Sequence, residues 1–269
     1  MLTVEPVVGR SGVRRFRELP LALHAADGLW APPLLAGEDA RLEPERGDVA
    51  AWLARRDGRP VGRVAASTEG HFGFFDCEDD AAAARALLDA AREWAGVPLV
   101  GPQGFLADEE KGVLAAGFDE PGTTGRPWHP PHLAALLGRL ELIDILPSWR
   151  LDTGGPGSLP PADLTPPSFV QGYADPELAR GDGDAVILAV PDLAPVLRRK
   201  GLRSAWTLAR TARTRSWEGC TVVRCDGDPS VLVPGLLGVA ARVGYRWCVA
   251  PWAPDDRPPT VVHHTFRIA

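Results

Sequence analysis

From residue 49 to residue 68 the chain reads VAAWLARRDGRPVGRVAAST, two β-prone runs flanking Asp57-Gly58. That dipeptide accepts positive φ and closes tight turns, so the stretch predicts a β-hairpin. The apolar run that follows predicts a strand over Phe72–Asp76. Three acids, Glu78, Asp79 and Asp80, then lead into an alanine-rich segment that predicts a helix from about Asp80 to Ala95, with Asp79 or Asp80 as its N-cap. VPLVGP predicts a strand, His132 to Leu140 a second helix, and IDILPSWRL a closing strand. Alternation of this kind implies a mixed sheet covered by helices.

The later part repeats this order in shortened form. DAVILAVPD predicts a strand, 195–215 a basic helix, CTVVRC a strand, VPGLLGVAARVG a helix, and YRWCVAPW and TVVHHTFRI two strands. Strand, helix, strand with a closing β segment occurs twice, and an internal duplication accounts for it most simply. Between the two parts lies TGGPGSLPPADLTPP, where proline and glycine preclude a helix or a central strand. The expected organisation is therefore 1–152, a Pro/Gly-rich linker over 153–182, and 183–269.

Composition narrows the class. A hydrophobic fraction of 45% and a charged fraction of 24% over 269 residues are those of a soluble globular protein. No apolar run approaches the roughly 18–20 residues that span a bilayer, so the expectation is a cytoplasmic protein without a membrane partner. The net charge of −6 argues against DNA or other broad nucleic-acid binding, which draws on phosphate neutralisation. One basic stretch, 198–215, contains no acid; a solvated helix face and a docking surface for an anion both fit it. The four cysteines lack a C-x-x-C spacing and read as ordinary thiols.

LWAPPLL, RRDGRPVGRVAA, FGFFDCEDD, the glutamate pair and glycine near 109–112, PWHPPH, AVILAVPDL and GYRWCVAPWAPDDRPP together resemble bacterial tandem proteins of the GCN5-related N-acetyltransferase (GNAT) superfamily. The resemblance implies an α/β fold of two GNAT-like lobes, the second abbreviated. It also implies acyl-CoA, held by the N–H groups of a glycine-rich loop, Q/R-x-x-G-x-G/A, at a helix N-terminus. Neither lobe keeps that loop. CEDDAAAA has acids and no glycine, and VVRCDGDPSVLVPG has Gly227 amid Asp226, Asp228 and Pro229. The cofactor is thus left unassigned, with acyl-CoA one option.

The residues left to do chemistry are few. Glu109 and Glu110 are carboxylates close enough to raise one another's pKa, which suits a general base; a charged loop is the plainer reading. His132 stands where the family tends to show a tyrosine and suits an acid; a capping role is the alternative. Trp128, His129, Asp255, Asp256 and Arg257 are candidates for substrate binding, with a surface turn and ion pair as the other reading of the last three. His263 and His264 point to opposite faces of one strand, so no metal site is expected. Two functions follow: an acyltransferase-type enzyme acting on a small amine or a carrier-bound intermediate, with a donor other than acetyl-CoA possible, or a non-catalytic binding or accessory protein on the same scaffold.

Overall fold

The computed structural model describes residues 1–32, 42, 47–105, 111–164, 173–200 and 217–269. Its elements are β1 (Leu2–Pro6), α1 (Gly9–Leu23), β2 (Val49–Arg56), β3 (Arg59–Ser67), β4 (His71–Cys77), α2 (Ala81–Ala95), β5 (Leu99–Gly101), β6 (Val113–Ala116), α3 (Pro131–Leu137), β7 (Glu141–Asp152), β8 (Ala179–Asp182), β9 (Ala185–Pro191), α4 (Ala194–Lys200), β10 (Gly219–Asp226), α5 (Pro229–Arg242), β11 (Trp247–Ala250) and β12 (Val261–Ile268). The fold is α/β, as the alternation predicts. β1, α1, β6 and β8 are additions to the elements read from the sequence.

The strands form one sheet in the order β1-β2-β3-β4-β5-β12-β7-β11-β10-β9-β8, with β6 paired to β12 off that path. The hairpin turn has φ of 51° at Asp57 and 82° at Gly58, the left-handed pair that Asp-Gly supplies. β4 and β5 run parallel with α2 between them, and β10 and β11 run parallel with α5 between them. Each half of the chain thus holds one strand–helix–strand unit.

Burial follows the two-residue period of the strands. On β2, Trp52 and Ala54 join the core beneath α2 and α3, with Leu87, Leu133 and Phe72. Their neighbours Ala51 and Leu53 join the opposite core under α1, with Phe16 and Leu19. A third core fills the second half, from Ile187 and Val190 to Leu236 and Tyr245.

Two strands cross the boundary between the halves. β7 pairs with β12 along 141–148 and with β11 along 149–152. β12, drawn from the second half of the chain, pairs with β5 and β6 of the first. The Pro/Gly-rich segment runs along α5: a Cβ at Gly238 would stand 2.1 Å from the Gly157 carbonyl oxygen, so glycines permit the approach. Arg242 donates to the same Gly157 oxygen at 3.0 Å.

Beneath α1 lies a buried charge network. His24 bonds Asp76 through Nε2 (3.0 Å) and Asp27 through Nδ1 (3.1 Å). Arg63 donates to Asp76 through Nε (2.8 Å) and to the Phe16 carbonyl (3.2 Å). Burial by itself would lower the His24 pKa, but the hydrogen bonds and charges of Asp76 and Asp27 outweigh it and raise the value above 6.5. Burial would likewise raise Asp76, yet the Arg63 charge and the His24 hydrogen bond hold it well below the usual carboxylate range. Folding therefore favours the imidazolium. Its contribution is complete below pH 6.5 and is lost as pH climbs through the raised folded value. The melting temperature of the protein is expected to fall as pH rises above that point, while His24→Gln, which keeps a donor without a titration, lacks this component. His24→Ala is expected to cost about 2–3 kcal/mol in urea unfolding at pH 6, the worth of a buried charge-assisted hydrogen bond.

Candidate functional site

Both helix N-termini that follow a parallel strand are closed by acids. Asp80 caps α2, its Oδ1 accepting from the N–H groups of Ala82 and Ala83 at 3.1 Å each, while its Oδ2 accepts from Arg56. Glu78 beside it pairs with Arg59. Asp228 caps α5, accepting from the Ser230 N–H at 2.8 Å and its hydroxyl at 2.7 Å. Pro229 removes a further donor. An anion at either turn would displace a carboxylate from the N–H groups that phosphate would use.

The residues named from the sequence separate into three places. Glu109 and Glu110 lie outside the described residues. His132, in the first turn of α3, bonds the Cys77 carbonyl through Nε2 at 2.9 Å, which brings it against the acidic turn. A carbonyl only accepts, so that nitrogen carries a proton. Asp255, Asp256 and Arg257 are exposed, with Asp255 and Arg257 paired at 2.5 and 2.6 Å; the Trp149 indole donates to the Arg257 carbonyl.

Trp128 and His129 stand elsewhere, in the segment from Gly117 to Pro130 that packs at the seam of the two halves. Gly117 (φ 83°) lies against Thr260 and Val261, where a Cβ would come within 2.2 Å of the Thr260 oxygen. Thr123 and Arg126 exchange backbone hydrogen bonds of 2.9 and 3.0 Å about Thr124-Gly125, with Gly125 at φ 77°. Glycine at the third position of a turn supplies that conformation. The turn is anchored in the second half: Asp192 Oδ1 accepts from the Thr124 N–H (2.7 Å), the Thr124 hydroxyl (3.1 Å) and the Ala194 N–H (3.1 Å). Leu193 N–H donates to the Thr124 hydroxyl at 2.8 Å, and Arg198 to the Gly122 carbonyl at 2.5 Å. Burial raises the Asp192 pKa against the pull of these donors.

Between this segment and β6, β7, β11 and β12 a narrow pocket opens to solvent, with interior room for about one water molecule. His263 of β12, 1% exposed, reaches it. Its Nε2 donates to the Pro127 carbonyl at 2.9 Å, which leaves Nδ1 as a lone pair, buried and without a partner. His129 accepts the Leu114 N–H on Nδ1 at 3.2 Å, and the two rings meet edge to face at 6.3 Å. Burial pushes the pKa of His129 down to about 4 and that of His263 to about 3, so both are neutral at physiological pH. Trp128 lines the pocket and donates its indole N–H to the Phe118 carbonyl at 2.9 Å.

Sequence reasoning missed Arg126, Thr123 and Asp192 and weighed His263 only as a metal ligand. Two signals were available: T-T-G-R is a turn sequence, and P-D before an apolar run is a helix-start signature. That the two meet, 68 residues apart, was not readable. Among the described residues no group of three His, Cys, Asp or Glu side chains is placed to hold a metal ion, and no helix is long and apolar enough to cross a membrane.

The fold is that of the GNAT acyltransferases. The GCN5-related glucosamine N-acetyltransferase region of a fungal multi-domain beta-N-acetylglucosaminidase superposes with a TM-score of 0.54 at 10% identity, over 100% of this chain and 38% of that one. A tandem GNAT protein from the clavulanic acid biosynthesis pathway is also similar, at 16% identity over 100% of this chain and 98% of that one, with a TM-score of 0.44. No protein-family model matches the chain. Among curated proteins, the chain is similar to Bacterial ceramide synthase of Caulobacter vibrioides, 34% identical over 142 residues, 45% of this chain and 37% of that protein. Protein YghO of Escherichia coli is 29% identical over 174 residues, 56% of this chain and 44% of that protein. The chain spans less than half the length of these curated relatives.

The anchor at Asp192 makes a direct test of the seam. Asp192→Ala strips an acceptor from two N–H groups and a hydroxyl and is expected to lower unfolding free energy by about 2–4 kcal/mol in urea titration; Asp192→Asn, which keeps the accepting oxygen, should cost about 1 kcal/mol or less.

Proposed function

We propose that this protein is an N-acyltransferase: an amine nitrogen attacks the carbonyl carbon of an acyl thioester, a C–N bond forms, the C–S bond breaks, and the thiolate leaves with a proton. The reading is carried by the 142-residue likeness to a protein named a ceramide synthase, a ceramide being an amide, on a chain with the GNAT fold. The acceptor is proposed as a small amine or a long-chain amino alcohol, and the donor as a thioester, carrier-bound or CoA-bound, whose phosphates lie away from the two acid-capped turns.

Within this reading Glu109 or Glu110 is the proposed base. His132, anchored by its Nε2–H on the Cys77 carbonyl beside the β4–α2 turn, is the proposed acid: in its imidazolium form the Nδ1–H gives the departing thiolate its proton. Trp128 and His129 are proposed to line the acceptor's path. Asp255, Asp256 and Arg257 are proposed at its outer rim, where their exposure suits a polar acceptor better than an apolar one.

A second reading, a binding or accessory protein without catalysis, is favoured by one observation, the occupation of both helix N-termini by Asp80 and Asp228. Assay of acyl-CoAs and carrier-bound acyl groups of increasing chain length, with polar amines and with long-chain amino alcohols, separates the two. The expected outcome is amide formation with stoichiometric thiol release, lowered on the order of 10²-fold by His132→Phe and by at least one of Glu109→Gln and Glu110→Gln in chains that melt normally. Absence of amide with every pair would sink the transferase reading. A bound acyl thioester at 100 times its Kd should still add about 2.7 kcal/mol of stability if the protein only binds it.

A further inference from the structure

The seam pocket holds a half-buried cation whose partners among the described residues are all neutral. Arg126 donates through Nε to the Ser148 hydroxyl at 3.2 Å and through Nη1 to the Gly125 carbonyl at 3.0 Å, and among the described residues it has no carboxylate partner. Burial lowers its pKa, the mark of a guanidinium that has lost water without gaining an anion. Two further polar atoms on the same wall are buried and unpaired: the Thr123 hydroxyl and His263 Nδ1. At the mouth stands Arg150, its guanidinium 4.0 Å from the centroid of the Trp247 indole. Glu120 also lines the pocket but forms no ion pair with either arginine.

Unsatisfied groups of this kind are costly unless something completes them. A guanidinium presents paired N–H donors matched to a carboxylate or phosphate edge. The Thr123 O–H is a further donor, and Nδ1 accepts the proton of an O–H or N–H group borne by or next to the anion. From this arrangement we infer that the seam pocket is an oxyanion-binding subsite in which Arg126 and Thr123 hold the anionic end of a small ligand, Arg150 attracts that end at the mouth, and His263 Nδ1 accepts from an O–H or N–H group that the ligand carries beside the anion. The narrow interior has room for about one water-sized atom, so a single oxygen of such a group enters while the rest of the ligand stands at the mouth. The subsite is distinct from both helix N-termini, and it binds whether or not the protein transfers an acyl group.

Two probes separate the sources of the anion: acetate for a carboxylate and inorganic phosphate for a phosphate ester. Each is titrated into the intact protein against chloride at equal ionic strength, with melting temperature and tryptophan fluorescence as readouts, Trp128 being in the wall. General stabilisation by such salts acts on every variant alike, so the comparison between variants carries the result. Acetate or phosphate is expected to bind the wild type, at least tenfold more weakly to Arg126→Met and severalfold more weakly to the near-isosteric Thr123→Val. Arg267→Ala, in an exposed ion pair with Glu141 outside the pocket, is expected to bind as the wild type does. If Arg126→Met fails to fold, Thr123→Val decides. The proposal is overturned if neither probe binds the wild type, or if Thr123→Val and every folded Arg126 variant bind the probe as the wild type does. Amide formation measured on the same preparations keeps this outcome apart from failure of the transferase reading: activity without anion binding removes only the subsite, and anion binding without activity removes only the transferase.

Discussion

β12 is held along both edges, by β7 on one side and by β5 and then β6 on the other. A strand in that position has no free backbone groups to satisfy elsewhere, and without it β5 and β7 would each present an unpaired edge in the middle of the sheet. Its alternation then assigns faces: Phe266 and Ile268 go to the core beneath α2 and α3, and His263 is buried toward Pro127. A segment more than a hundred residues distant in sequence thus completes the first half of the chain. β7 makes the complementary connection, pairing with β12 over its first part and with β11 over its last.

With the two halves joined in one sheet, the seam between them becomes a place where chemistry can be held rigidly. The Thr123–Arg126 turn is pinned by Asp192 on one side, and His263 is pinned by the Pro127 carbonyl at the other end of the same segment. Arg126 and the buried lone pair of His263 are held on strands and an anchored turn, not on a free loop. The same sheet carries two strand–helix–strand units, and at both the helix N–H groups are already answered by Asp80 or Asp228. Capping stabilises α2 and α5 locally and at the same time withdraws the usual anion site of such units from use.

Much of the fold was legible. Asp57-Gly58 marked the first hairpin because only such a dipeptide tolerates both positive φ values, and the Asp80 cap was readable from acids ahead of an alanine-rich run. α1 was not, since Gly9 and Gly12 near its start and Pro20 within it resemble loop chemistry, and its stability comes from Phe16 and Leu19 on the sheet. β6 and β8, four residues each, are too short for a two-residue period to register. Of the candidate residues, Trp128 and His129 lie at the seam, His132 faces the acidic turn, and the Asp255–Arg257 pair is exposed.

What the sequence determined by itself was local: which runs are strands and helices, where turns fall, and that neither β–α turn has the glycines of a phosphate loop. Those features depend on neighbours within a few residues, so composition and spacing carry them. Partnership across the chain was decided only by the tertiary structure. The pairing of Thr124 with Asp192 and the placement of β12 between β5 and β7 depend on hydrogen bonds between segments 68 to more than 100 residues apart, and the neutral partners of the Arg126 guanidinium among the described residues include Ser148, 22 residues away. No periodicity encodes which distant edge a strand will fill, because every exposed edge offers the same N–H and C=O groups; the choice falls to packing of the whole.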